Sequence, residues 1–229
     1  MAVLYSSVGH GGASGYLAVM ALFGMTPASM KPTALVLNIV VAGLGSTRFI
    51  WRDCFNFRAF WPFSAGALPF AVLGGAAQTG DHLYKKVLGV ALVLASAALL
   101  LPRRNPDETK LVPIPLGIAL GSAIGFLSGL IGIGGGIFLS PILILSRWAT
   151  VKQTLGISAL FIVVNSIAGL LGHLSSLGEL PANIGWLALS VGAGAMLGSE
   201  LGSRWFAPSW VRVLLTAVLL IAAVKLLAL

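Results

Sequence analysis

Residues Leu127–Leu145 read LSGLIGIGGGIFLSPILIL, without one charged side chain and with glycine at 129, 132, 134, 135 and 136. The stretch lies inside an apolar run, Leu116–Leu145, that exceeds the roughly 20 residues a spanning helix needs. Adjacent glycines at its centre release the backbone from helical geometry and allow a sharp turn. Two readings follow. The run is either one kinked span or two short arms meeting at a glycine turn inside the membrane.

The rest of the chain agrees with a membrane setting. Of 229 residues 58% are hydrophobic and 9% charged, against about 25% charged in a soluble domain. A water-soluble enzyme and a disordered chain are thereby excluded. Further apolar runs cover Ala2–Met25, Thr33–Ile50, Ala59–Ala77, Lys85–Leu101, Thr154–Leu174, Ile184–Leu201 and Val211–Leu227. The expectation is an all-α polytopic membrane protein in a bacterial inner (plasma) membrane, inserted without a cleavable signal peptide. The net charge of +8 does not indicate nucleic-acid binding, because the basic residues sit singly or in pairs at the ends of apolar runs, facing lipid headgroups. Cys54 is the single cysteine, so an internal disulfide and a cysteine metal cluster are both excluded.

The decisive stretch has an echo near the start. Val8–Leu22 reads VGHGGASGYLAVMAL, and Gly9, Gly11 and Gly12 align with Gly132, Gly134 and Gly135. Downstream, Ala42-Gly43-Leu44 aligns with Ala168-Gly169-Leu170, Gly66 with Gly192, Tyr84 with Trp210, Lys86 with Arg212 and Leu88 with Leu214. The order of a glycine cluster, a small-residue helix and an aromatic-plus-basic helix start points to a duplication. The first repeat is residues 1–101, the polar linker 102–112 and the second repeat 113–229. The first arm is short, with eight residues before Gly9.

Charge placement bears on topology. If all eight runs simply cross, the basic residues divide evenly between the two sides. If the first and fifth runs dip in and return, Arg48, Arg52, Arg58, Arg103, Arg104, Lys110, Arg147, Lys152, Arg204 and Arg212 share one side. Lys31, Lys85, Lys86 and Lys225 lie on the other, an asymmetry expected of a cytoplasmic face. Three true spans per half then make the repeats inverted, each with a glycine-broken re-entrant helix, an architecture common among secondary transporters. Both termini lie outside the cytoplasm in this arrangement.

A turn at membrane depth leaves backbone groups without helical partners, so it survives only inside protein or beside a water-filled cavity. The helix after it aims its first N–H groups and positive dipole end into that cavity, which suits an anion. The candidate binding residues are Gly11, Gly12 and Ser14 in the first cluster and Gly134, Gly135 and Gly136 in the second. Asn38 and Asn165 sit at similar depths in the second run of each half, with Thr33 and Ser158 at corresponding positions. Each asparagine donates to a substrate oxygen or bonds a neighbouring helix. His10 stands where the second cluster has Ile133, and either donates to an anion or lies exposed at the outer surface. Glu200 is an intramembrane acid or an interfacial partner of Arg204. Arg48 and Arg52 read as headgroup anchors, Arg48 also as an attractor of anions at the cytoplasmic mouth. His173 and Glu179 read as solvated loop residues. Gly66, Gly74, Gly75, Gly192, Gly194, Gly198 and Gly202 read as helix-packing positions. No catalytic residue, metal site or cofactor is expected, since no hydrolase, nucleotide-binding or metalloprotease motif occurs.

The Leu127–Leu145 stretch, its echo at Val8–Leu22 and the Ser140-Pro141 pair after the glycines resemble the signature of the TauE/SafE family of membrane permeases. The resemblance extends over essentially the whole chain. The first cluster departs from it, reading GHGGA and lacking a counterpart of Pro141. What the resemblance implies is a secondary transporter, and an exporter, of small sulfur-containing oxyanions such as sulfite or organosulfonates. The alternatives are a channel-like anion facilitator and a membrane subunit that delivers a sulfur compound to a partner enzyme. The implied partners are a small anion and membrane lipid, with a coupling proton or sodium ion and a homo-oligomeric state both left open.

Overall fold

A computed structural model gives the protein's structure over residues 1–7, 11–101, 106, 108–174, 180–204 and 209–228, with backbone alone at 7, 199–204 and 209–212. The described residues form helices and no strand. In order they are α1 (Ala2–Ser7), α2 (Ala13–Leu22), α3 (Pro27–Trp51), α4 (Phe57–Ala76), α5 (Asp81–Leu100), α6 (Ile114–Ile131), α7 (Gly136–Leu145), α8 (Val151–Gly172), α9 (Ile184–Arg204) and α10 (Ser209–Ala228). Five of them, α3, α4, α5, α6 and α8, are long and apolar enough to cross a membrane. The protein is a multi-pass integral membrane protein, with many leucines, phenylalanines and valines exposed on its surface.

Local sequence sets the helix boundaries. Pro27 follows Thr26 at the first position of α3, where its missing N–H costs nothing. Asn56 caps α4 by accepting from the Ala59 N–H at 3.3 Å. Thr150 and Gln153 close a reciprocal capping box at the start of α8. The first apolar run divides at Gly11–Gly12 into α1 and α2. The fifth divides at Gly132–Gly135 into α6 and α7. Its first arm has 18 residues, long and apolar enough to span a membrane and so longer than the short arm expected; α7 has 10 residues, about 15 Å.

Glycine determines how closely the helices approach. On α6, Gly121, Gly125 and Gly129 lie against the backbones of Phe63, Ala67 and Ala71 on α4, so the two helices run parallel in close contact. Gly66 and Gly74 return the contact against Ile118 and Phe126. A side chain at any of these positions would strike a neighbouring carbonyl, so the packing role expected for Gly66, Gly74 and Gly75 holds. Gly198 does the same against Val3, while Gly192 and Gly194 lie beside Val40 and Ala2 at ordinary or slightly tight distance. The surroundings of Gly202 lie outside the described residues.

The helix pairings come in matched sets. Contact of α4 with α6 is matched by that of α9 with α1, α4 with α8 by α9 with α3, α7 with α5 by α2 with α10, and α7 with α8 by α2 with α3. Helices α3 and α8 pack on each other in opposite directions, Leu35 beside Gly169 and Phe49 beside Gly156. At one end of the bundle the Trp148 ring packs tilted against that of Phe63, with centroids 5.9 Å apart. There the Lys110 N–H donates to the Arg147 carbonyl at 2.7 Å, joining the approach to α6 with the exit from α7. At the other end Lys31 Nζ reaches Thr79 Oγ1 at 3.3 Å, and Lys225 Nζ donates to the Leu22 carbonyl at 2.8 Å.

One expectation is corrected here. His173 is not a solvated loop residue. It is only 4% exposed, because it caps α8 where that helix ends against α6, and its Nε2 bonds the Gly129 carbonyl at 3.0 Å. Glu179, His10, Arg103 and Arg104 lie outside the described residues, as do the side chains of Glu200, Arg204, Trp210 and Arg212.

Candidate functional site

Both glycine breaks are built from left-handed backbone. Gly12 has φ +95°, Gly132 +84°, Gly134 +77° and Gly135 +80°, conformations that cost a residue with a Cβ about 1–2 kcal/mol each. The hydrogen-bond ladder of α7 begins with Phe138 and Leu139 donating to the Gly135 carbonyl. The N–H groups of Gly136 and Ile137 therefore precede it and point outward from the helix start. In the first half the Tyr16 N–H closes on the Gly12 carbonyl, which leaves Ala13, Ser14 and Gly15 in the same position at the start of α2.

The breaks meet. A small cavity is lined by Tyr5, Gly11, Gly12, Ala13, Ser14, Asn38, Ile133, Ile137 and Ile162, residues drawn from α1, α3, α8 and both broken segments. Its free volume, about 10 Å³, is close to the minimum that admits one water. Asn38 bridges the two breaks. Its Nδ2 donates to the Ile133 carbonyl at 3.0 Å, while its Oδ1 lies beside Gly11 with no hydrogen-bond partner. Ile162 also reaches both breaks, touching the spaces above Gly11, Gly134 and Gly136. Ser14 Oγ donates to the Tyr5 hydroxyl at 2.9 Å.

Around the second turn stand further polar groups without partners. The position a Cβ would take on Gly134 is 2.6 Å from Asn38 Nδ2 and 2.8 Å from Ser166 Oγ, and that on Gly135 is 2.6 Å from Ser128 Oγ. The hydroxyls of Ser128 and Ser166 and both carboxamide atoms of Asn165 are buried and unpaired. A buried unpaired polar group costs about 1–3 kcal/mol, so the Ser128 and Ser166 hydroxyls beside this turn need a reason.

The break also frees carbonyls at the end of α6, and side chains from three other segments satisfy them. His173 Nε2 bonds the Gly129 carbonyl at 3.0 Å, Tyr84 donates its hydroxyl to Ile131 at 3.3 Å, and Asn38 serves Ile133. A carbonyl only accepts, so the His173 proton sits on Nε2. Lys31 lies beside this end, its Nζ 4.6 Å from the centre of the Tyr84 ring and its backbone against Gly132.

Gly11, Gly12, Ser14 and Asn38 thus share the cavity, and Gly134, Gly135 and Gly136 form its neighbouring turn. Ser158 is buried and bonds Ser140 at 2.8 Å. Ser140 in turn bonds the Gly136 carbonyl at 2.8 Å, so the pair ties α8 to the start of α7. Thr33 turns its hydroxyl to the Ser29 carbonyl of its own helix at 2.6 Å, and Asn165 is buried without lining the cavity. His10 falls outside the described residues. Sequence reading missed Tyr5, Tyr84, Ser128, Ile162 and Ser166. Ser166 directly follows Asn165, and Ser128 lies one turn before the glycine run, so both carried a faint signal as hydroxyls in apolar surroundings.

Comparison with known proteins bears on this arrangement. The family described as "Sulfite exporter TauE/SafE" matches residues 1–226. The chain is 37% identical to "Probable membrane transporter protein y4hK" of Sinorhizobium fredii, over 99% of this chain and 94% of that one. It is 26% identical to two Bacillus subtilis proteins, each named as a probable membrane transporter. YjnA aligns over 97% of this chain and 94% of its own length, and YunE over 78% and 72%. No solved structure matches.

Proposed function

The chain belongs to the sulfite exporter TauE/SafE family, and from that premise we propose that it is a secondary transporter exporting small sulfur-containing oxyanions such as sulfite or organosulfonates. The anion binds between the two glycine breaks, near the middle of the membrane. The observation that carries this reading is the shared cavity, where the starts of α2 and α7 and the Asn38 carboxamide come together. Helix starts offer N–H groups and a positive dipole end without a solvated charge.

The two halves act as inverted repeats, with α6–α7 and α1–α2 as glycine-broken re-entrant elements. Supporting this are the matched pairings, the opposed α3 and α8, and the Lys110–Arg147 bond at the base of α6–α7. A cavity with room for about one oxygen atom is a contracted state. Alternating access comes from one half moving against the other. The tightness speaks against an open channel.

The test is flux of a panel of small anions into liposomes holding the purified protein alone, with Gly135→Leu as control. Sulfite flux that the control lacks, and that accumulates against its own gradient when an ion gradient is imposed, supports the reading. No flux of any anion, or normal flux through the control, overturns the site.

A further inference from the structure

We infer that this site takes its oxyanion singly protonated, as a monoanion carrying one O–H group, in preference to a dianion or to a sulfonate without a hydroxyl. The inference rests on the transport reading above and narrows its substrate class. Asn38 carries the argument. Its nitrogen is committed to the Ile133 carbonyl, a group that can only accept, so the orientation of the carboxamide is fixed. The oxygen left over lies beside Gly11 on the cavity wall, in a residue 1% exposed, and has no partner. An acceptor held there calls for a donor. A fully deprotonated oxyanion brings acceptors alone and would set lone pair against lone pair.

The same cavity is also lined by donors. The N–H groups of Ala13 and Ser14 open α2. Tyr5 accepts from Ser14, which leaves its own hydroxyl hydrogen to be given elsewhere. Among the described residues, no basic side chain lines the cavity. The two helix starts at the cavity, each worth about half a positive charge, together match one negative charge rather than two. The charged oxygens therefore lie toward α2 and the protonated oxygen toward Asn38 Oδ1. Such a substrate carries its proton with it, so each turnover moves one acid equivalent along with the anion.

The experiment uses the full chain in liposomes and compares initial rates for sulfite and selenite across pH at fixed total concentration. Above the pH where each acid loses its last proton, flux falls about tenfold per pH unit as the monoanion is depleted. The selenite profile is displaced to higher pH, because selenite holds that proton more tightly. A displacement set by the substrate separates its protonation from titration of the protein. Methanesulfonate, a monoanion without O–H, competes at least tenfold less well than sulfite near neutrality. In Asn38→Leu this preference collapses, a ratio read only from functioning protein. Coincident profiles for the two acids, flux that follows the dianion, or equal competition by methanesulfonate overturns the inference and leaves the transport reading standing. If neither acid moves, it is the transport reading that fails.

Discussion

Gly134 shows how one residue governs the site. Its φ of +77° already disfavours any side chain, and a Cβ there would come within 2.6 Å of Asn38 Nδ2. Gly134→Ala is expected to cost about 1–2 kcal/mol in backbone energy and to push Asn38 off the Ile133 carbonyl. The expected reading is a lowered melting temperature in detergent and at least tenfold less sulfite flux per folded molecule. His173 is the second test at this scale. Replacement by leucine leaves the Gly129 carbonyl buried without its donor, at about 1–3 kcal/mol. Glutamine places an N–H near the same point and recovers most of that loss. Burial holds the imidazole pKa below its ordinary 6.5; the Gly129 bond opposes this shift and nearby Lys31 adds to it. The unfolded chain therefore takes up a proton first as pH falls. The stabilising contribution is complete above about pH 6.5 and is lost toward the lower folded value. Melting midpoints of wild type should drop on acidification through this window, and those of His173→Gln should drop less.

Among the elements, the α4–α6 seam separates glycines that pack from glycines that merely occur. Gly121 and Gly125 sit on the carbonyls of Phe63 and Ala67, whereas Gly43 in α3 has open space where a Cβ would stand. Gly125→Leu must push the parallel helices α4 and α6 apart and is expected to abolish stable expression. Gly43→Ala is expected to raise stability by about 0.5–1 kcal/mol, since alanine loses less entropy in a helix. Equal melting temperatures for the two variants would show that the seam is not under such tight contact. Both glycines stand in apolar helical sequence and look alike as text. Which neighbour they meet depends on pairing between segments more than 50 residues apart, and no local pattern encodes that.

At the scale of the whole molecule, the distribution of charge predicts orientation. Cys54 lies between Arg52 and Arg58, its carbonyl against Gly156 near Lys152. A membrane-impermeant maleimide should label this partly exposed thiol in inside-out vesicles and leave it untouched in intact cells. Leu83→Cys, introduced beside Lys85 in a Cys54→Ser background, should show the opposite pattern. Labelling of both from one side would remove the argument from the basic residues. Asn38 was legible as a polar residue in an apolar helix, and the glycine clusters as places where a helix ends. His173 was misread because a histidine after an apolar run resembles a loop residue until the end of α6 is seen to cover it.

The amino-acid sequence by itself determined that this chain lives in a membrane and where its helices break. These are properties of composition, spacing and the conformational freedom of glycine, all fixed locally. Tertiary structure alone decided that the two breaks face one cavity, that Asn38 spends its nitrogen on Ile133 and keeps its oxygen free, and that Tyr84 and His173 hold the end of α6. Each of those facts is a contact between distant segments. It exists only once packing has fixed which polar groups find partners and which are left to meet a substrate.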